Sequence, residues 1–192
     1  VLPLAPGTRV GLIGDFARVP RYQGAGSSEV NPTRLSTLED AITHTDLVLV
    51  GFAQGFSRDG SSGAPLHADA VTLARRSDVV VLALGLPESS ETEGLDRANL
   101  QVPTHQIDLL RALAATDTPV VVVLSGGGAI ETHWASLTAG LVHGYLGGQA
   151  GAEGICDVLT GAVNPGGRLA ESLPVQLSDD PTAAIFPAKG PA

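Results

Sequence analysis

Residues 78–84 read Asp-Val-Val-Val-Leu-Ala-Leu, and residues 119–124 read Pro-Val-Val-Val-Val-Leu. Both runs are continuous and rich in β-branched side chains, with no alternation of polar and apolar positions. A strand with one wet face alternates, whereas a strand covered on both faces does not, and parallel sheets are the ones covered on both faces. The two stretches therefore predict a parallel sheet with helices above and below it. Weaker apolar runs at 9–13, 46–50 and 141–146 supply further strands.

Helical spacing fills the intervals at 36–44, 66–76, 104–115 and 149–159. Ser36, three residues before Glu39, has the pattern of a capping box. Ile107, Leu110, Leu113 and Ala114 share one face of the third helix, and Pro103 suits its start. Strands alternating with helices predict an α/β protein, a three-layer α/β/α sandwich around a mostly parallel sheet of five to six strands. One domain is expected over residues 1–177. Residues 178–192 lose all periodicity, hold Pro181, Pro187 and Pro191, and read as a linker-like tail.

The 192 residues carry 43% hydrophobic and 16% charged side chains, enough apolar material for a sizeable core. Eleven basic against twenty acidic residues leave a net charge of -9, and Lys189 is the only lysine. Without a basic cluster, nucleic acid and anionic membranes are excluded as expected partners. No apolar run approaches the roughly 20 residues of a spanning helix. The opening Val1-Leu-Pro-Leu-Ala-Pro lacks the regions of a signal peptide, and either a cytoplasmic or a secreted setting fits. Cys156 stands alone, so no internal disulfide forms, and no Cys/His cluster has zinc spacing. Methionine is absent even at position 1, so either the initiator has been removed or the chain is a segment of a longer polypeptide, and the second reading is preferred.

Two long, glycine-rich connections, 15–32 and 85–102, begin where predicted strands end. Ligands of open parallel sheets bind at those strand ends, and long ordered loops often carry function. In the second loop Glu88, Glu91, Glu93 and Asp96 fall within nine residues, closed by Arg97. Crowded carboxyls raise one another's pKa, as a general acid requires; a solvated turn with Asp96 or Glu93 paired to Arg97 explains the same residues. In the first loop Arg21, Tyr22 and Gln23 suit either a sugar or the pinning of their own loop. The glycines at 11, 14, 24 and 26 lack the remainder of a nucleotide fingerprint. Ser125 has Val123 where a nucleophile elbow needs glycine.

Ile13-Gly14-Asp15-Phe16-Ala17, then Pro20-Arg-Tyr-Gln-Gly-Ala-Gly-Ser-Ser28, resemble the second domain of glycoside hydrolase family 3 β-glucosidases. Glu91-Thr-Glu-Gly-Leu-Asp-Arg97 with Leu100, Pro103 and Gln106 is similar to that family's E-x-E-G-x-D-R signature. Tyr145-Leu-Gly-Gly-Gln-Ala150 and Asn164-Pro-Gly-Gly-Arg-Leu169 are similar to its closing motif. One departure is Ser125-Gly-Gly-Gly-Ala-Ile130, where relatives carry a turn with proline.

The resemblance implies retaining hydrolysis of β-linked glucosides or oligosaccharides, with no metal and no organic cofactor. An aspartate nucleophile would lie in an N-terminal (β/α)8 barrel outside this segment, so the chain alone is expected to be inactive. This domain would supply the acid/base glutamate. Glu93, directly before Gly94, is the first choice and Glu91 the second, with Asp96 and Arg97 forming a local ion pair. Arg21, Tyr22, Gln23, Gly24 and Ser27 are the expected substrate-binding residues. A stand-alone carbohydrate-binding or interaction module on the same fold is the alternative.

Overall fold

The computed structural model describes residues 1–61 and 63–185. Strands β1 (Arg9–Ile13), β2 (Val48–Ala53), β3 (Val79–Gly85), β4 (Val120–Ser125) and β5 (Gly140–Tyr145) form one sheet in the order β2-β1-β3-β4-β5. Every pairing is parallel. Of the five to six strands expected, five occur among the described residues. Helices α1 (Leu38–Ile42) and α4 (Gly151–Thr160) pack together, as do α2 (Ala64–Ala74) and α3 (Thr104–Ala114). These pairs are the outer layers of the α/β/α sandwich.

The central strands behave as their composition dictates. All seven residues of β3 and five of the six in β4 are buried, because helices cover both faces. Each valine or leucine so buried contributes roughly 1.5–3 kcal/mol of transfer free energy. The edge strands β2 and β5 are only partly covered. β2 starts two residues later than its apolar run and continues through Gly51, which pairs with Gly11. In α3 the buried side is Gln106, Ile107, Leu109, Leu110 and Leu113, broader than the predicted stripe.

The cap of α1 differs from expectation. Thr37, not Ser36, is the N-cap, its hydroxyl accepting from the Asp40 amide at 3.0 Å. Ser36 lies one residue too early to cap. Its hydroxyl contacts Gln149 O and the Glu153 carboxylate instead, tying the end of the first long loop to α4.

At the C-terminal end, Thr132 and His133 amides donate to Pro174 and Val175 carbonyls, and the Leu177 amide donates to Glu131. The 3-10 turn Leu177–Asp179 crosses the expected boundary at 177/178. Residues 186–192, including Pro187, Lys189 and Pro191, lie outside the described residues. A concavity of about 930 Å³ lies between β5, α4 and residues 163–173 and is bordered by Leu141, Ile155, Val158 and Leu169. No helix among the described residues is long and apolar enough to cross a membrane.

Candidate active site

The chain reverses direction across the sheet between β1 and β3, which are neighbours there although β2 separates them in sequence. The crevice outside such a switch point is where open α/β sheets bind ligands. The two long loops leave the sheet there, after β1 and after β3. Gly14, at φ +108°, opens the first; a Cβ on it would lie 2.0 Å from the Ala83 carbonyl oxygen. Only glycine lets the end of β1 pass so close to β3.

Arg21 is the hub between the loops. Its side chain is 1% exposed. It donates to Gln23 O at 3.2 Å, Leu86 O at 2.7 Å, Glu91 O at 3.1 Å and the Glu91 carboxylate at 3.2 Å. A guanidinium buried so deeply is tolerable because these acceptors satisfy it.

Glu91 points from this hub toward the turn after β4. The Gly127 and Gly128 amides donate to its two carboxylate oxygens at 2.9 and 2.6 Å. The Ser125-Gly-Gly-Gly stretch that departs from the family pattern is thus an amide cradle for a carboxylate. Arg97 stands beside it and donates to Ala129 O at 2.6 Å. Burial lowers the Arg97 pKa, and Glu91 works in the opposite sense. The expected ion pair of Asp96 with Arg97 is therefore replaced: Arg97 turns inward, while Asp96 stays exposed.

Glu93, two residues further, faces the other way. It is exposed, and its Oε2 accepts from the Ser27 amide at 2.9 Å and from the Ser27 hydroxyl. These bonds, the hydroxyl first, hold its carboxyl below the ordinary glutamate range. A parallel bridge between Ala25 and Thr92, and a Glu93 amide bond to Ala25 O at 3.2 Å, lay the two loops side by side.

Tyr22 and Gln23 brace their own loop. The Tyr22 hydroxyl donates to Val30 O at 3.0 Å; Gln23 donates to Val30 O and accepts from the Val30 amide, both at 2.9 Å. Gly24 is half-buried beside Ser28. All the predicted site residues thus lie on two adjoining loops, with Arg21 buried beneath them.

Two further residues shape the site. The fully buried Gln106 accepts from the Gly85 amide at 2.9 Å and donates to its carbonyl at 3.0 Å, fixing the point where the acidic loop leaves β3. Arg58 had no sequence signal; it is one arginine in a polar loop. Its guanidinium meets Asp15 at 2.5 Å, Glu88 at 2.8 Å and the Val19 carbonyl, and lies 4.3 Å from the Phe16 ring centroid. It therefore links the loops following β1, β2 and β3. Among the described residues, no group of three or more His, Cys, Asp or Glu side chains could hold a metal ion.

The chain matches the glycosyl hydrolase family 3 C-terminal domain over residues 1–189. It belongs to that family. An exo-alpha-(1->6)-L-arabinopyranosidase of Bifidobacterium breve is 42% identical over 187 residues, covering 96% of this chain and 25% of the relative. The thermostable beta-glucosidase B of Acetivibrio thermocellus is 40% identical over 190 residues, with coverages of 97% and 25%. The crystal structure of a Bifidobacterium adolescentis GH3 beta-glucosidase superposes with a TM-score of 0.90 at 40% identity, covering 98% of this chain and 28% of that one. The family 3 domain described here thus spans about a quarter of the length of these relatives.

Proposed function

We propose that this family 3 domain supplies the general acid/base of a retaining β-glycosidase, and that Glu93 is that residue. One contrast carries the assignment. The Glu91 carboxylate is occupied by two backbone amides and Arg21, whereas Glu93 is exposed, with only its Oε2 hydrogen-bonded among the described residues. A group that gives up and recovers a proton must be reachable by substrate.

In this reading an aspartate on a barrel domain of the same polypeptide attacks the anomeric carbon. Glu93 protonates the departing oxygen, then as carboxylate takes a proton from the water that releases the sugar. The two carboxyls would stand about 5–5.5 Å apart, as retaining chemistry requires. The Ser27 bonds that lower the Glu93 pKa favour the carboxylate, the form from which the base step starts. The acid step needs the opposing wall: a second carboxylate and exclusion of water would raise the same pKa. The chain alone, over its domain of residues 1–177, is therefore inactive. Arg21 acts by holding Glu91, and Tyr22, Gln23, Gly24 and Ser27 form the rim that a β-glucoside or β-linked oligosaccharide meets.

Glu93→Gln and Glu91→Gln variants of the full-length enzyme test the assignment. Glu93→Gln is expected to lose activity on glycosides with poor leaving groups far more than on activated aryl glycosides, and to be rescued by azide. If Glu91→Gln shows that pattern and Glu93→Gln does not, the assignment is wrong.

A further inference from the structure

Ser27 follows Gly26, where the two loops pass close together: a Cβ on Gly26 would lie 2.7 Å from Glu93 Cβ. Both polar groups of Ser27, its amide and its hydroxyl, donate to one oxygen of Glu93, Oε2. The other oxygen, Oε1, accepts no hydrogen bond from the described residues. A carboxyl gripped this way cannot spin freely, so its two oxygens are no longer equivalent.

We propose that Ser27 is a positioning residue for the acid/base, holding Oε2 so that Oε1 is the oxygen that carries and recovers the proton. The proposal rests on the Glu93 reading. In the first step the proton leaves Oε1–H for the glycosidic oxygen as the C–O bond breaks and the barrel aspartate bonds to the anomeric carbon. In the second, water loses a proton to Oε1 as its oxygen attacks that carbon and the bond from the carbon to the aspartate breaks, releasing the carboxylate. Ser27 keeps its own proton throughout, and the N–H and O–H remain aimed at Oε2.

Two donors on one oxygen also favour the ionised carboxylate, which is the sense in which Glu93 is displaced. Neighbouring charges are engaged elsewhere. Glu91 meets the Gly127 and Gly128 amides, Arg21 meets Glu91, Arg97 meets Ala129 O and Glu88 meets Arg58. Asp96 is exposed on the same loop. Ser27 is thus the principal cause of the displacement.

Ser27→Ala and Ser27→Thr separate this role from simple support of the loop. The Glu93 carboxyl is followed by ¹³C NMR titration in the chain described here. The alkaline limb of kcat/KM is measured in the full-length enzyme with a poor-leaving-group β-glucoside. In Ser27→Ala, Glu93 should titrate at higher pH than in wild type and the alkaline limb should rise with it; Ser27→Thr, which keeps the hydroxyl, should restore both. Coincident titrations in wild type and Ser27→Ala would overturn the proposal. So would a raised KM with an unmoved limb, the signature of a residue that only binds sugar. A Glu93→Gln enzyme that kept the wild-type alkaline limb would remove the acid/base reading itself, and the proposal with it.

Discussion

Arg21 and Glu91 form an ion pair at 3.2 Å in which the arginine side chain is 1% and the glutamate side chain 12% exposed. It joins two loops that are neighbours only because β1 and β3 pair across the chain reversal. Removing one partner leaves a charge with little access to water, a loss of about 3–5 kcal/mol in comparable pairs. Arg21→Ala should therefore lower the urea midpoint strongly, and Glu91→Gln, which keeps an acceptor for Arg21, should lower it less. Equal and small losses would mean that water reaches the pair.

Gly26→Ala tests the seam between the loops. The residue sits at φ +105°, where a side chain is strained, and its new methyl would press on Glu93. Since both loops lie outside the central sheet, the proposed acid/base role of Glu93 gives as expected result a large fall in kcat of the full-length enzyme with a smaller fall in thermal stability. Wild-type kcat in this variant would show that the loops yield without moving Glu93.

His105 makes stability pH-dependent. Burial lowers its pKa, the neighbouring His67 lowers it further, and Asp59, Asp108 and a backbone bond to Ser57 oppose them. A depressed histidine pKa leaves stability intact above the unfolded value of about 6.5 and erodes it as pH falls from there toward the folded value. His143, lowered chiefly by burial, acts in the same sense. Denaturant midpoints should decline from pH 7.5 to 5.5, and His105→Phe should flatten that decline. An unchanged slope in His105→Phe would assign the effect elsewhere.

Cys156 on α4 is 3% exposed. Burial, with Asp157 and Glu153 adding to it, pushes its thiol up to about 12. Thiolate is the reactive form, so a disulfide reagent should leave the native chain unlabelled at pH 8 and label one thiol in guanidinium. Rapid native labelling would indicate that α4 opens readily.

The sheet was readable because the information was local and redundant. Four consecutive valines at 120–123 admit little besides a doubly covered strand, and all four are buried. Glu91 and Glu93 were visible as a motif, but their opposite orientations were not. Those depend on Gly127, Gly128 and Ser27, which reach the acidic loop only through the sheet order. Arg58 was silent for the same reason, since its partners are 43 and 30 residues away. The capping pattern at Ser36 failed by one position because Thr37 offers an equally good hydroxyl.

The cradle for Glu91 lies 36 residues downstream of it. Polypeptides are made from the N-terminus at roughly 5–20 residues per second, so the cradle is synthesised about 2–7 s after the glutamate. Arg21 is made well before Glu91, whereas the amides beyond β4 follow it. The loop that carries Glu91 therefore receives its second anchor only with the turn that follows the fourth strand.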